Sequence, residues 1–393
     1  MSPTDPHWRQ LSEGELELKR QCRAFAETHI APSARESDRR NALPHEVHSA
    51  AYDAGLMNVG FPIALGGRGV SARALAAGGE ELAAACAPTA FSMGFNHGAL
   101  RPVLHAGTPE QQEVFVRALL ARRGYASVCL TEAATSGSNL PGLRTRAVRT
   151  DRGWALSGRK CMVGNGCDAS LYLVLVEAFE GQSSRGLTFF AVPRGPGVTV
   201  GDNTDKLGFR CVTTPEVIFQ GAEVDEFHRV GAVGGAEEIL GPTLDYMRFG
   251  GTSVMLGLVT GALRDVVAWI DARVVHPGGP LSDRSHVQLL LGDLFAELRT
   301  ARAGLFELAL RLDRGEDVSL LCSISKLRAS RLAVKATQSL LELYGWRGID
   351  ADWSIQKRAR DARVTTIFEG TSEIQLLHCY RALRRSLAEG GWL

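Results

Sequence analysis

The chain has 393 residues, is 45% hydrophobic and 22% charged, and carries a formal net charge of +1. That length exceeds one ordinary hydrophobic core, so two or three domains are expected. The near-neutral balance provides no global field for nucleic acid or an anionic membrane, and no apolar run suggests a membrane span.

The eight cysteines (Cys22, Cys86, Cys129, Cys161, Cys167, Cys211, Cys322 and Cys379) form no C-x-x-C pair and have no histidine at zinc-ligand spacing. They read as buried or half-buried thiols in a reducing compartment. The polar start, MSPTDPHW, has no apolar stretch of signal-peptide length, and a cytoplasmic enzyme is expected. Cations are mostly arginine, with lysine only at Lys19, Lys160, Lys206, Lys326, Lys335 and Lys357.

Residues 1–125 read as a helical domain. Leu11, Leu18, Cys22 and Phe25 recur on one helical face, and 47–59 and 72–87 are Ala-rich and helical. The cluster Gly66, Gly67 and Gly69 is a turn, and Thr108 with Gln111 is a capping pair. Residues 126–235 change texture. Trp154–Leu156, Leu171–Val176, Leu187–Val192 and Val217–Phe219 are short, rich in β-branched and aromatic residues, and bounded by turn residues. They predict a small antiparallel, barrel-like β-domain. From 236 to 393 the helical period returns. Val287, Leu290, Leu291, Leu294, Leu298, Ala301, Leu305, Leu308 and Leu312 mark one long helix. Gly315 stops it, and Asp317 can cap the next, which runs to Gly345. The expected C-terminal unit is a four-helix bundle, and the class is multidomain α+β.

Chemistry concentrates in Ile367-Phe368-Glu369-Gly370-Thr371-Ser372-Glu373. Glu369 lies between an apolar pair and a glycine, where two helical patterns meet. Desolvation by Ile367 and Phe368 would raise its pKa towards that of a general base. Read locally, Glu-Gly-Thr is also an ordinary helix start.

The segment resembles the Glu-Gly-Thr motif of acyl-CoA dehydrogenases. Three further segments resemble the same family in the same order: Leu130-Thr131-Glu132 with Gly137-Ser138 and Thr145; Gly158-Arg159-Lys160 with Asn165-Gly166; and Lys206-Leu207-Gly208-Phe209-Arg210. Gly66-Gly67-x-Gly69 and Asp361 extend the likeness over nearly the whole chain, and the helical, β, helical order agrees with it. The resemblance implies FAD as cofactor, Glu369 as the base that takes the α-proton of an acyl thioester, and flavin N5 as hydride acceptor. It places Arg248 beside the base, Asp245 towards the pantetheine arm, and Gly370 at the substrate. It assigns Thr131, Ser138, Met162, Gly164, Glu342, Gly345 and Thr371 to the flavin, and Arg273 to the FAD of a neighbouring subunit. A homodimer or homotetramer is therefore implied. The substrate would be an acyl-CoA or acyl-carrier protein, and the acceptor an electron-transfer flavoprotein or oxygen. Met247 stands where some members carry the base, which leaves Glu369 as the candidate.

Departures cluster around the flavin. Met162-Val163-Gly164 replaces Trp-x-Thr, which predicts a less covered flavin face. The loop after Thr131 has an extra residue and Asn139 for Asp. His276-Pro277-Gly278-Gly279 replaces Phe-Gly, and Glu342 replaces Gln near Gly345-Trp346-Arg347-Gly348. These changes point to a specialised substrate, with a carrier-protein thioester as one form. A flavin oxidase or monooxygenase, and a non-catalytic scaffold, are the alternative readings.

Overall fold

A computed structural model describes residues 10–135, 137 and 139–390. The N-terminal helices are α1 (Glu13–Phe25), α2 (Ala31–Arg40), α3 (His45–Asp53), α4 (Ala72–Ala85), α5 (Ala87–Ala99), α6 (Arg101–Ala106), α7 (Pro109–Gln112) and α8 (Ala118–Ala121). Capping boxes open two of them. Ser12 and Glu15 exchange side-chain and backbone bonds at α1, and Thr108 and Gln111 do so at α7. The stretch 54–59, expected to continue α3, turns at Gly55 (φ 64°) instead.

Eight strands follow: β1 (Ala126–Cys129), β2 (Arg146–Thr150), β3 (Gly153–Lys160), β4 (Leu171–Glu180), β5 (Ser183–Pro193), β6 (Val198–Val200), β7 (Val217–Val224) and β8 (Arg229–Val230). Their order is β6-β7-β3-β2-β4-β5-β8, with β1 also on β4. The sheet is mostly antiparallel, but β1 and β2 both run parallel to β4, end to end along its edge. Short-range pattern cannot reveal this, because parallel partners are joined through crossovers rather than hairpins. Alternation along β4 and β5 builds two cores. Leu171, Leu173, Leu175 and Phe189 face the N-terminal helices. Tyr172, Val174, Val176 and Phe190 join Trp154, Leu156 and Phe219 on the other side.

The C-terminal helices are α9 (Ala236–Ala272), α10 (Ser285–Asp313), α11 (Ser319–Leu343), α12 (Ser354–Thr365) and α13 (Ser372–Ala388). Helix α9 is apolar enough to pass as a membrane span by composition, contrary to the sequence expectation. It lies instead in the core, packed on α4, α5 and α11, which is why it is apolar all round. Gly257 and Gly261 let α4 approach: a Cβ on Gly257 would stand 2.5 Å from Glu80 O and Ala83 Cβ. This is close helix packing rather than a ligand loop.

One contact joins the domains beneath the Glu369 segment. Gly208 in the Lys-Leu-Gly-Phe-Arg loop has no room for a Cβ against the Arg360–Asp361 peptide of α12. The Phe209 N–H donates to Asp361 Oδ1 at 2.7 Å, and Lys357 Nζ holds Oδ2 at 2.6 Å. The motif is thus a dock between β-domain and bundle. Gly208→Ala should separate them and destabilise by about 1–3 kcal/mol, as overpacking does. A thermal melt checks this; an unchanged midpoint would show that the loop simply moves aside.

Candidate active site

Glu369 lies in the turn between α12 and α13, with φ 56°, and Gly370 follows with φ 94°. Two successive left-handed residues are costly when the first is not glycine, so the surroundings must impose them. Three side chains from three helices do so through the peptide carbonyls. Arg248 Nε (α9) donates to Glu369 O at 3.2 Å, and Lys326 Nζ (α11) donates to Gly370 O at 2.7 Å. Gln375 Nε2 (α13) reaches both carbonyls at 3.1 Å. Thr371 caps α13 through its side chain, accepting from Ile374 N–H at 3.4 Å, so the local helix-start reading and the site reading coexist.

The carboxylate is not clamped. Its Oε2 is sealed from solvent and has no hydrogen-bond partner, although the residue as a whole is only half-buried. It sits in a niche on α9 that exists because Gly251 has no side chain; a Cβ there would collide with Oε2. Burial raises the Glu369 pKa well above the usual carboxylate range, while the Lys326 and Arg248 charges pull it part of the way back. The desolvation does not come from Ile367, which is 59% exposed, but from the walls of a cavity. Phe368 contributes differently. It packs against Phe91 (5.0 Å between centroids) and Phe209 (5.2 Å), fixing the turn against α5 and the β-domain loop.

That cavity, of about 140 Å3, lies between α4, α5 and α9. Glu369 is the one carboxylate among its lining residues. The polar groups around it are engaged elsewhere. Ser253 Oγ donates to Ala76 O at 2.8 Å, and Asn58 bonds Tyr52 and Asn96. His97 accepts from Gly60 N–H through Nε2 at 3.0 Å, and burial lowers its pKa to about 4, so it is neutral. Gly94 and Gly250 are exposed, and a Cβ on either would meet nothing within 4 Å.

Asp245 and Arg248, 6% and 5% exposed, form a buried ion pair at 3.0 Å, well inside α9 rather than at its start. Ser319 Oγ occupies the other Asp245 oxygen at 2.5 Å. In the β-domain, Glu132 and Lys160 make a buried pair at 2.9 Å, and Glu132 also accepts from Thr145 Oγ1 and the Arg144 and Thr145 N–H groups. This network ties the loop carrying Thr131 to β3. The Cys161 N–H donates to Thr131 O at 2.9 Å, which sets Thr131 beside Met162, itself half-exposed with φ 55°. Ser138 lies outside the described residues.

Gly164 does not leave an open space. The Phe95 ring, which also lines the cavity, occupies the volume that a side chain at residue 164 would take. Ser127 Oγ fixes the Gly164 carbonyl from behind at 2.7 Å. The volume at residue 164 is thus taken by an aromatic from α5. The signal was a glycine paired with a phenylalanine about 70 residues away in sequence, which no local pattern connects.

Arg273, Glu342 and Gly345 form a separate group. Arg273 is 25 positions after Arg248 on α9, roughly 37 Å along the axis at 1.5 Å per residue. Its guanidinium lies over Trp269, whose Nε1 donates to Leu343 O at the end of α11. Glu342 and Gly345 are exposed there, beside Arg347, which stacks on Trp269, Trp346 and Trp353.

A helical, sheet, helical chain with a sealed carboxylate at the wall of an apolar cavity has the build of an acyl-CoA dehydrogenase. Comparison with known proteins agrees. Models of the acyl-CoA dehydrogenase N-terminal, middle and C-terminal domains match residues 12–123, 127–222 and 235–384. The chain is 31% identical over 370 residues to the mitochondrial short-chain specific acyl-CoA dehydrogenase of Bos taurus, covering 94% of this chain and 89% of that one. It is 29% identical over 357 residues to cyclohexane-1-carbonyl-CoA dehydrogenase of Syntrophus aciditrophicus, covering 90% and 92%. Its fold superposes on butyryl-CoA dehydrogenase of Megasphaera elsdenii with a TM-score of 0.90, at 27% identity and coverage of 95% and 99%. The chain belongs to the acyl-CoA dehydrogenase family, FAD-dependent oxidoreductases acting on CH–CH bonds.

The residues present fit FAD. Thr131, Met162 and Gly164 are brought together at the end of the sheet, anchored by the Glu132–Lys160 pair and bordered by Phe95. Gly164→Thr alone should crowd Phe95, lower FAD content and reduce the melting temperature. Phe95→Ala combined with it should recover most of both, a coupling of about 1–3 kcal/mol. Equal loss in the single and double variants, read by the flavin absorbance-to-protein ratio, would break the link between the two positions.

Proposed function

We propose that the chain oxidises the α,β bond of an acyl thioester whose acyl group is compact and apolar, with Glu369 as the base. The observation that carries this reading is the Glu369 carboxylate, sealed, unpartnered and raised in pKa at the wall of an apolar cavity. A thioester α-proton is a poor acid, so a desolvated carboxylate is the useful partner for it. Arg248, Lys326 and Gln375 hold the turn without bonding the carboxylate, so its basicity is not spent. The α-proton goes to Glu369 Oε2. Bound FAD supplies the acceptor for the hydride from the β-carbon, and the acyl group leaves with a double bond. The electrons then pass to an external acceptor, an electron-transfer flavoprotein or oxygen.

The cavity supports the choice of acyl group. At about 140 Å3 it approaches the engineered cavity of about 150 Å3 that admits benzene. Among the described residues no positively charged side chain lines it, so a terminal carboxylate would be buried unpaired at heavy cost. A butyryl- to cyclohexanecarbonyl-sized group fits this description. The group of Glu342, Gly345 and Arg273, the last of them 25 positions beyond Arg248 in sequence, supports the sharing of each FAD between two copies. An exposed apolar stripe on α13, Leu376, Tyr380, Leu383 and Leu387, supports a homodimer or homotetramer.

Glu369→Gln should keep the fold and flavin but lose turnover by roughly 10³ or more. Because the base must be ionised and burial raises its pKa to about 8, activity should be lost as pH falls through that raised value. Anaerobic flavin bleaching across a CoA-thioester panel should favour butyryl, hexanoyl and cyclohexanecarbonyl over palmitoyl and glutaryl by about tenfold or more, the order expected for losing one to three kcal/mol of fit. Undiminished bleaching in the Gln variant would move the base elsewhere.

A further inference from the structure

Arginine outnumbers lysine in this chain by 38 to 6, yet Lys326, 0% exposed, stands in the core beside the turn. Its hydrogen-bond partner is a peptide carbonyl, Gly370 O at 2.7 Å, not a carboxylate. The Phe368 ring centroid lies 6.0 Å from Nζ. A buried ammonium bonded to a neutral carbonyl is expensive unless a nearby anion balances it. The anion whose charge acts on it most is Glu369, the residue before the glycine whose carbonyl it holds. The other charges around the pair are Arg248 from α9, paired with Asp245 at 3.0 Å and the smaller of the two cationic influences on Glu369, and Glu373 on the solvent side of α13. His378, also on α13, bonds Ser323 at 3.2 Å and is held below its ordinary pKa by burial.

We propose that Lys326 is a positioning residue for the base, holding the Glu369–Gly370 turn through the Gly370 carbonyl and keeping the unpartnered carboxylate ionisable by charge alone. The inference rests on Glu369 being the base. A hydrogen bond or ion pair on the carboxylate itself would make it a weak base, whereas with no cation nearby its proton would be lost only at still higher pH. Placing the ammonium on the adjacent peptide lowers the proton affinity without blocking Oε2. Lysine suits this because its charge is compact and reaches one carbonyl; a guanidinium would present a wide fork of donors to fill. The two charges depress and raise each other reciprocally: Glu369 supports the charged form of Lys326, and Lys326 that of Glu369.

The test is the pH dependence of anaerobic flavin reduction by butyryl-CoA in FAD-loaded enzyme. Lys326→Met should move the acid limb to higher pH, with reduction at pH 7 falling about tenfold or more and recovering towards the wild-type plateau in alkali. Lys326→Arg, which keeps the charge, should leave the limb near its wild-type position. A loss of rate at all pH values, with an unmoved limb, would make Lys326 a structural residue and overturn the proposal. Should the Met variant fail to fold, the linkage is read from the other side. With 13Cε-labelled lysine the six signals can be followed by NMR, and Lys326 should titrate lower in Glu369→Gln than in wild type. An unmoved Lys326 signal would sink the coupling. Loss of activity in Glu369→Gln with no such coupling would leave the base reading intact and this inference refuted.

Discussion

The rest of the structure depends on one constraint: a carboxylate must be held in place by groups that do not touch it. A buried polar atom without a partner costs on the order of 1–3 kcal/mol, more when charged, and is normally eliminated. Here Glu369 Oε2 is kept that way. The restraint is therefore displaced onto the two peptide carbonyls, which accept from Arg248, Lys326 and Gln375. Each clamp comes from a different helix, and Phe368 adds contacts to Phe91 of α5 and Phe209 of the β-domain. All three parts of the chain converge on a single turn. Their mutual dependence explains why the Lys-Leu-Gly-Phe-Arg segment, distant from Glu369 in sequence, is held to α12 so closely that Gly208 has no room for a side chain.

Much of this was legible in the sequence where the signal is periodic or local. The long apolar stripe from Val287 to Leu312 falls within α10, and the hairpin through Asp151-Arg152-Gly153 joins β2 to β3. Within the ordered motifs the structure adds contacts that spacing alone does not suggest. Lys160 is buried and pairs with Glu132, tying the Thr131 loop to β3. Asp245, the buried partner of Arg248, is also bonded to Ser319. Ile367, read as a desolvating neighbour, points outward, and the dry surroundings come from helices more than a hundred residues earlier.

What stayed hidden is non-local. The parallel pairing of β1 and β2 with β4 is set by crossovers, and the Phe95–Gly164 contact joins α5 to a strand end that shares no pattern with it. A glycine where a larger residue was expected looks like a deletion of packing. In three dimensions it is an exchange: the ring at residue 95 takes the volume. Lys326 was visible only as a compositional oddity, one of six lysines among 38 arginines, and its meaning required the turn it reaches.

The glycines of α9 complete the argument about cost. Gly250 and Gly251 stand in sequence inside a helix, where each is about 0.8–1.0 kcal/mol worse than alanine. At Gly251 the missing Cβ is the space that the carboxylate occupies, and at Gly250 it is open space at the cavity. An exposed helix would not tolerate such a pair so readily. Helix α9 does, because it is buried on several sides by α4, α5 and α11, and that burial far outweighs two weakened positions. The same apolarity that makes α9 resemble a membrane span thus permits a cavity and a base niche to be cut into its backbone. The core does not merely carry the site; its surplus packing is what allows the site to be hollow.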